Sequence, residues 1–363
     1  MENKKIKLGL FGLGLRGYYG LNDILQCENI KLVAVCDKDE GAVAQAQARL
    51  AENGVTDVVS YTDYDEMLKN EDIDSVFVFN YATEHTPAAI KALESGKNVL
   101  SEIPAVTSAD EARALKAAVL AHPEVKYMFA ENCCYWANME SWKTMREEGK
   151  FGEIVCAEGE YLHSEEPCEI TAERFEGKDH WRMYNPAIRY LTHELGPLLE
   201  IMDDRVVRVS CMEPTARYNP YKRGPENGAA LFFTEKGAVI RILICFGAYC
   251  GATHNYRIIG TKGSIETTRL KNIGDAYSYA SLEEVPGSFM NKTEIPITIS
   301  YPGEGEGGHG GADKRMMLDF ADCVLNDREP RLNVDKAIQI SLPGVLAHES
   351  DVLGGALIEM PEI

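Results

Sequence analysis

The segment KIKLGLFGLGLRGYYG, residues 5–20, constrains the fold more than any other stretch of the chain. An apolar run from Ile6 to Phe11 reads as a strand, and Gly12-x-Gly14-x-x-Gly17 follows it directly. The next residues, LNDILQC, suit a helix. Strand, glycine turn and helix in that order are the context in which this motif binds a dinucleotide. The glycines let backbone approach a pyrophosphate, and the helix N-terminus stabilises its charge. A second apolar strand, IKLVAVCD, ends in Asp37, about 20 residues past Gly17. An acidic side chain there can hold the adenosine ribose hydroxyls of NAD. A glycine turn without a ligand would need no such acid in register. Asp37 favours NAD over NADP, with the neighbouring Lys38 acting against that preference.

The alternation continues through DSVFVFN, KNVLSE and VKYMFAE as apolar strands, with TPAAIKALESG and SADEARALKAAVLA as helices between them. Continuous apolar strands separated by helices indicate a parallel sheet covered on both faces. Residues 1–130 are therefore expected to form an α/β Rossmann domain. Asp37, Asn80, Glu102 and Glu131 all close a strand, and ligands bind at that edge of an open α/β sheet. Each could alternatively cap a helix.

Beyond residue 130 the period changes. VCAEGEYLHS alternates, and RVVRVSCM, GAALFFTE, AVIRILICFGA, NYRIIGTKGSIETT and TEIPITISY are further strands joined by turns. Residues 131–363 are expected to form an α+β domain with a largely antiparallel, open-faced sheet. Two C-terminal helices, DKRMMLDFADCVLND and VDKAIQISLPGVLAHESDVL, should pack back toward the first domain. The glycine-rich PGEGEGGHGGAD before them is a loop carrying His309. An apolar open sheet face would be covered by a second copy, giving a homo-oligomer.

A net charge of −20 argues against nucleic acid or an anionic membrane as partner. No apolar run approaches the ~20 residues that cross a bilayer. The first residues show no export signal. The cysteines are scattered, which fits reduced thiols in the cytoplasm.

RYLTHELGPLLEIM, residues 189–202, holds a His-Glu pair on an expected helix from about Pro186 to Met202. Ile188, Leu191, Leu195, Leu198 and Met202 form its buried stripe, leaving His193 off it. Pro197 stands where a zinc protease has its second histidine, which removes that reading. Pro197 also removes the hydrogen bond to the carbonyl of residue 193, so the helix should bend there and leave that carbonyl for another partner. His193 is a packed structural histidine or a proton carrier. A hydride-transfer cofactor favours the second reading, because alcohol oxidation needs a base.

GLGLRG, HTPAAIKALESGKNVLSEIPAV and the order of a Rossmann domain before an open sheet resemble the Gfo/Idh/MocA oxidoreductases over essentially the whole chain. That family usually has Glu-Lys-Pro, with a catalytic lysine, where this chain has Glu102-Ile103-Pro104. ENCCY, FGEIVCAEGEYLH, THELGP and GHGGAD are similar to the NAD-dependent glycosidases of glycoside hydrolase family 109, typified by α-N-acetylgalactosaminidase. Those enzymes also have an apolar residue at the lysine position.

The resemblance implies a catalytic set of Glu131, Tyr161 and His193, and no metal. NAD would be held by Gly12, Leu13, Gly14, Leu15, Arg16, Gly17, Asp37, Asn80, His85, Glu102 and Asn132, and a sugar or glycoside by Arg182, Tyr190 and His309. It implies hydrolysis by transient C3 oxidation, C2 deprotonation by Tyr161 with help from Glu131, elimination, water addition and re-reduction. A net sugar 3-dehydrogenase and a non-catalytic NAD-binding sensor are the other readings. Taken without the resemblance, Tyr161 could pack a sheet face, Glu131 could cap a helix, and Arg182 could form a surface ion pair. Sugar and anomer stay open.

Overall fold

The computed structural model describes residues 4–164, 181–269, 278–295 and 307–363. The chain divides into two compact bodies. One holds residues 1–132, 303–338 and Ile363; the other holds 133–302 and 339–362. The division differs from a single cut near residue 130, because 303–338 belongs with the nucleotide-binding body. The helix Ala312–Leu325 explains the return: its Met316, Met317 and Phe320 are fully buried, and Phe320 meets Phe77 edge-on with centroids 5.6 Å apart.

In the first body a six-stranded sheet has the order β3-β2-β1-β4-β5-β6. The strands are β1 Ile6–Phe11, β2 Ile30–Cys36, β3 Val59–Tyr61, β4 Ser75–Val78, β5 Asn98–Ser101 and β6 Tyr127–Phe129. All pairs are parallel, with β1 between β2 and β4. Every residue of β4 is buried, as a strand covered on both faces requires. The intervening helices are α1 Leu15–Leu25, α2 Glu40–Glu52, α3 Tyr64–Leu68, α4 His85–Glu94 and α5 Ala109–Ala121. Their starts are set locally. Asp39 accepts from the Gly41 N–H, Asp63 from those of Asp65 and Glu66, and Ser108 from that of Glu111. Asp37, Asn80, Glu102 and Glu131 each lie one or two residues past a strand end, along one edge of this sheet.

The second body is built on a nine-stranded sheet ordered β14-β13-β12-β11-β7-β10-β9-β8-β15. Its central strands are β7 Ile154–Leu162, β8 Val206–Met212, β9 Asn227–Thr234, β10 Val239–Cys245 and β11 Thr253–Gly260. The others are β12 Gly263–Thr267, β13 Ser278–Leu282, β14 Thr293–Ile295 and β15 Ile358–Glu359. Among the described residues, only β10 and β7 pair in parallel; the other pairs are antiparallel. NYRIIGTKGSIETT, expected as one strand, is a hairpin split at Thr261 and Lys262. β13 was not anticipated, because SYASL carries little apolar signal. TEIPITISY is described only through Ile295, and the loop PGEGEGGHGGAD only from Gly307.

α6 Ala137–Glu147 and α7 Thr192–Met202 pack on one sheet face, where Ala157, Gly159, Ile240, Ile242, Tyr256 and Ile258 are buried. The opposite face is not the apolar surface expected. Strand alternation points Glu158 and Glu160 of β7 outward between Arg241 of β10 and Arg257 of β11, and Arg269 also binds Glu160. Exposed Leu231, Phe233 and Met212 lie on β9 and β8 beside this charged centre.

Candidate active site

The three motif glycines have three separate steric duties. Gly12 has φ +98°, and a Cβ there would stand 2.4 Å from the Asn80 nitrogen. A Cβ on Gly17 would lie 1.8 Å from the Gly12 carbonyl oxygen, so only glycine lets α1 pack against the turn. Gly14, the N-cap of α1, meets nothing within 4 Å. That exposed space before a helix N-terminus suits an approaching pyrophosphate. Leu15 is exposed beside it, while Leu13 is buried and donates its N–H to Asp37 Oδ2 at 2.7 Å. Asp37 Oδ1 accepts from the Asp39 N–H at 3.0 Å, so the carboxylate is fixed from both sides. Lys38 lies 5.0 Å from the Tyr81 ring centroid. The residues present therefore fit NAD, which supplies a reversible hydride acceptor when bound.

Other expected cofactor residues have turned inward. Arg16 donates from Nε to Glu102 at 2.5 Å and from both terminal nitrogens to Asp313 at 2.8 and 2.9 Å. Its guanidinium is held by these two carboxylates. His85 is buried, with Nδ1 2.9 Å from the Pro104 carbonyl and Nε2 3.1 Å from that of Asn80. It ties two loops at the sheet edge, and burial leads the causes that lower its basicity. Asn80 also reaches Glu84 at 3.3 Å.

Asp313 is the hub of this region and was not singled out from the sequence. Besides Arg16, it accepts from Asn132 Nδ2 at 2.8 Å and meets His309 Nδ1 at 2.8 Å. Burial opposes its ionisation, but the Arg16 charge and the His309 and Arg16 hydrogen bonds hold the carboxyl far below its usual range. The hydrogen bond to Asp313 leads the causes that raise the His309 imidazole. His309, expected to bind substrate, thus sits in the nucleotide-binding body with φ +49°. Glu131 is fully buried after β6, also in that body.

The second body gathers Tyr161, His193, Tyr190 and Arg182. The Tyr161 and His193 rings meet edge to face, centroids 5.7 Å apart. Phe246 packs edge-on against both Tyr161 and Tyr190, at 5.0 and 5.7 Å. The Arg182 guanidinium lies 5.0 Å from the Trp181 ring and 5.1 Å from that of Tyr190, so it lines an aromatic wall instead of a bare surface. Every residue of α7 is buried except half-buried His193. The expected long helix is a 3-10 turn, Ala187–Tyr190, followed by α7, which runs unbroken through Pro197. The carbonyl that Pro197 leaves without a helical donor accepts from the Tyr256 hydroxyl at 2.8 Å.

Two members were missed. Glu194, set aside as facing elsewhere, has no exposed surface and lies 2.5 Å from His254 Nδ1. His254 stacks on Tyr161 at 4.0 Å. The alternation of His254, Tyr256 and Ile258 was a signal of one inward face, but only the β7–β11 register places His254 opposite Tyr161. Burial, then the Glu194 charge, push the Tyr161 phenol above its usual value. That shift favours the protonated, donating form of the phenol.

A glycine-cradled Rossmann sheet followed by a separate sheet carrying titratable groups among aromatic rings is the plan of a nicotinamide-dependent oxidoreductase. The chain belongs to the Gfo/Idh/MocA family. Residues 6–129 match "Oxidoreductase family, NAD-binding Rossmann fold" and residues 139–266 match "GFO/IDH/MocA C-terminal domain". It is similar to glycosyl hydrolase family 109 protein 2 and to an alpha-N-acetylgalactosaminidase, both of Bacteroides fragilis. Each is 28% identical over 98% of this chain and 91% of the relative. Levoglucosan dehydrogenase, solved with NADH and levoglucosan, shares the fold with a TM-score of 0.84. It is 18% identical, covering 99% of this chain and 100% of that one. Among the described residues no helix is long and apolar enough to cross a membrane.

Proposed function

We propose that this protein is an NAD-dependent glycosidase acting through transient oxidation of the sugar at C3, without net redox change. The observation that carries the reading is the Tyr161–His193 pair, with ring centroids 5.7 Å apart on an aromatic wall. It is supported by Ile103 at the position where a catalytic lysine is usual in the family, and by similarity to family 109 enzymes along nearly the full chain.

In this reading the Gly12–Gly17 turn and Asp37 hold the cofactor, and Trp181, Tyr190 and Arg182 hold the sugar. His193 accepts the C3 hydroxyl proton, the task for which an imidazole is suited at neutral pH. A ketone at C3 acidifies the C2 proton, which passes to Glu131. The neutral Tyr161 phenol protonates the departing C1 oxygen. Water then adds to the unsaturated ketone, its hydroxyl going to C1 as Glu131 returns its proton to C2 and the Tyr161 phenolate takes the remaining proton. The hydride that bound NAD would have taken from C3 returns there as His193 returns its proton to O3, leaving free sugar and alcohol. No pair of glycosidase carboxylates is needed.

A panel of nitrophenyl glycosides tests the proposal. Release of nitrophenol without NADH build-up, accompanied by deuterium uptake at C2 in heavy water, is the expected result. NADH accumulating one for one with product would replace it with a 3-dehydrogenase. No turnover of any kind would leave an NAD-binding sensor. His193→Ala should abolish release while NAD still binds.

The reading places the reaction in the cytoplasm, in keeping with described cysteines that are all unbridged. It also retains a homo-oligomer, now through the exposed Leu231, Phe233 and Met212 beside the charged face. Sedimentation of the purified protein at low and high salt checks this.

A further inference from the structure

α7 presents two neighbouring side chains to different partners. Successive helical residues point about 100° apart, so His193 meets the edge of the Tyr161 ring while Glu194 reaches His254. Glu194 is fully buried, and a carboxylate in that position is costly unless a donor holds it. His254 Nδ1, 2.5 Å from Oε1, is such a donor. A carboxylate at that distance fixes which ring nitrogen carries the proton, and with it the orientation of the ring.

The sheet is shaped around this contact. Gly159 lies two residues before Tyr161, on the same side of β7, and a Cβ there would stand 2.6 Å from Glu194 Cβ. β11 pairs with β7 so that His254 is directly opposite Tyr161. The two rings are nearly parallel, 22° between planes with centroids 4.0 Å apart. Trp136 meets the imidazole edge-on at 5.1 Å and restricts its tilt.

We propose that Glu194 and His254 form a buried positioning pair for Tyr161, in which the carboxylate fixes the imidazole and the imidazole fixes the plane of the phenol. The proposal rests on the reading that Tyr161 takes part in the reaction. The pair has a second consequence for the phenol. After burial, the Glu194 charge is the leading cause that raises Tyr161, followed by Tyr190 and Cys133, with Arg182 opposing. Among the described residues, the other titratable groups against the ring are His193 on α7, His163 just past β7 and His254 itself. A fixed buried carboxylate therefore keeps Tyr161 protonated as well as oriented.

Two conservative variants and one reference separate these effects. Glu194→Gln keeps an acceptor for Nδ1–H and removes the charge. His254→Gln keeps a donor for Glu194 and removes the stacked ring. Subtracting the phenolate absorbance titration of Tyr161→Phe from that of the wild type isolates the Tyr161 ionisation, with no substrate required. In E194Q that ionisation should move down by about one pH unit or more, and the alkaline limb of kcat should move with it. H254Q should lower kcat by roughly 10–100-fold with KM changed less than about threefold.

An unmoved titration in E194Q, or wild-type kcat in folded H254Q, overturns the pair. If H254Q does not fold, the E194Q titration decides alone. If Tyr161→Phe retains full kcat, the reading of the reaction fails instead, and the titration still judges the pair.

Discussion

The Tyr256 hydroxyl donates a 2.8 Å hydrogen bond to the carbonyl of His193. Pro197, four residues on, has no N–H to give that carbonyl, so a strand side chain completes the helix. The backbone that carries His193 is thereby tied to β11, the strand whose His254 stacks on Tyr161.

This arrangement predicts a coupled pair of substitutions. Tyr256→Phe should cost about 1–3 kcal/mol, the range for leaving a buried acceptor unsatisfied. With Pro197→Ala also present, a helical N–H is available to the same carbonyl, and the cost should fall below about 0.5 kcal/mol. Urea denaturation of the four proteins in the cycle measures the difference. Additive effects would mean that the carbonyl does not couple the two residues.

The motif glycines should separate binding from folding. Gly14→Ala places a methyl group where no protein atom lies within 4 Å, so thermal stability should hold. NAD affinity should fall roughly tenfold or more, about 1.4 kcal/mol, because the same space serves the pyrophosphate. Gly17→Ala drives a Cβ toward the Gly12 carbonyl at 1.8 Å and should destabilise the body itself by about 1–3 kcal/mol. Calorimetric melts and NAD titration distinguish the two outcomes.

Asp313→Asn should destabilise the first body. Breaking a buried ion pair by removing one partner costs about 3–5 kcal/mol. Arg16 keeps Glu102 and is 27% exposed, which reduces the expected loss to roughly 1–3 kcal/mol. Chemical denaturation measures it, and a loss near zero would show that Glu102 alone suffices.

His309 gives a pH test with a defined sign. Its imidazole is raised from the ordinary value of 6.5, chiefly by its hydrogen bond to Asp313. A raised folded value means the contribution is complete below 6.5 and disappears as pH rises through the folded value. The melting temperature of wild type should therefore exceed that of His309→Asn in mild acid, and the gap should close in mild alkali. A gap that widens with pH would contradict the His309–Asp313 contact.

Sequence alone determined the Rossmann sheet, the positions of the three glycines and Asp37, and the freed carbonyl at His193. These are local matters: apolar runs, turn sterics and a missing proline N–H operate within a few residues. It also marked Tyr161 and His193, through short motifs and resemblance. Tertiary structure decided what those residues face. The split hairpin at Thr261, the return of residues 303–338 to the first body, and the charged outer face around Glu158 and Glu160 depend on packing and register. Asp313 became a hub only when Arg16 and Asn132 were folded against it. Glu194 looked idle beside His193 until β11, nearly a hundred residues after β7 begins, laid His254 between it and Tyr161. Long-range strand pairing has no local pattern to announce it, so the partner of the Tyr161 ring is fixed only when the chain has closed.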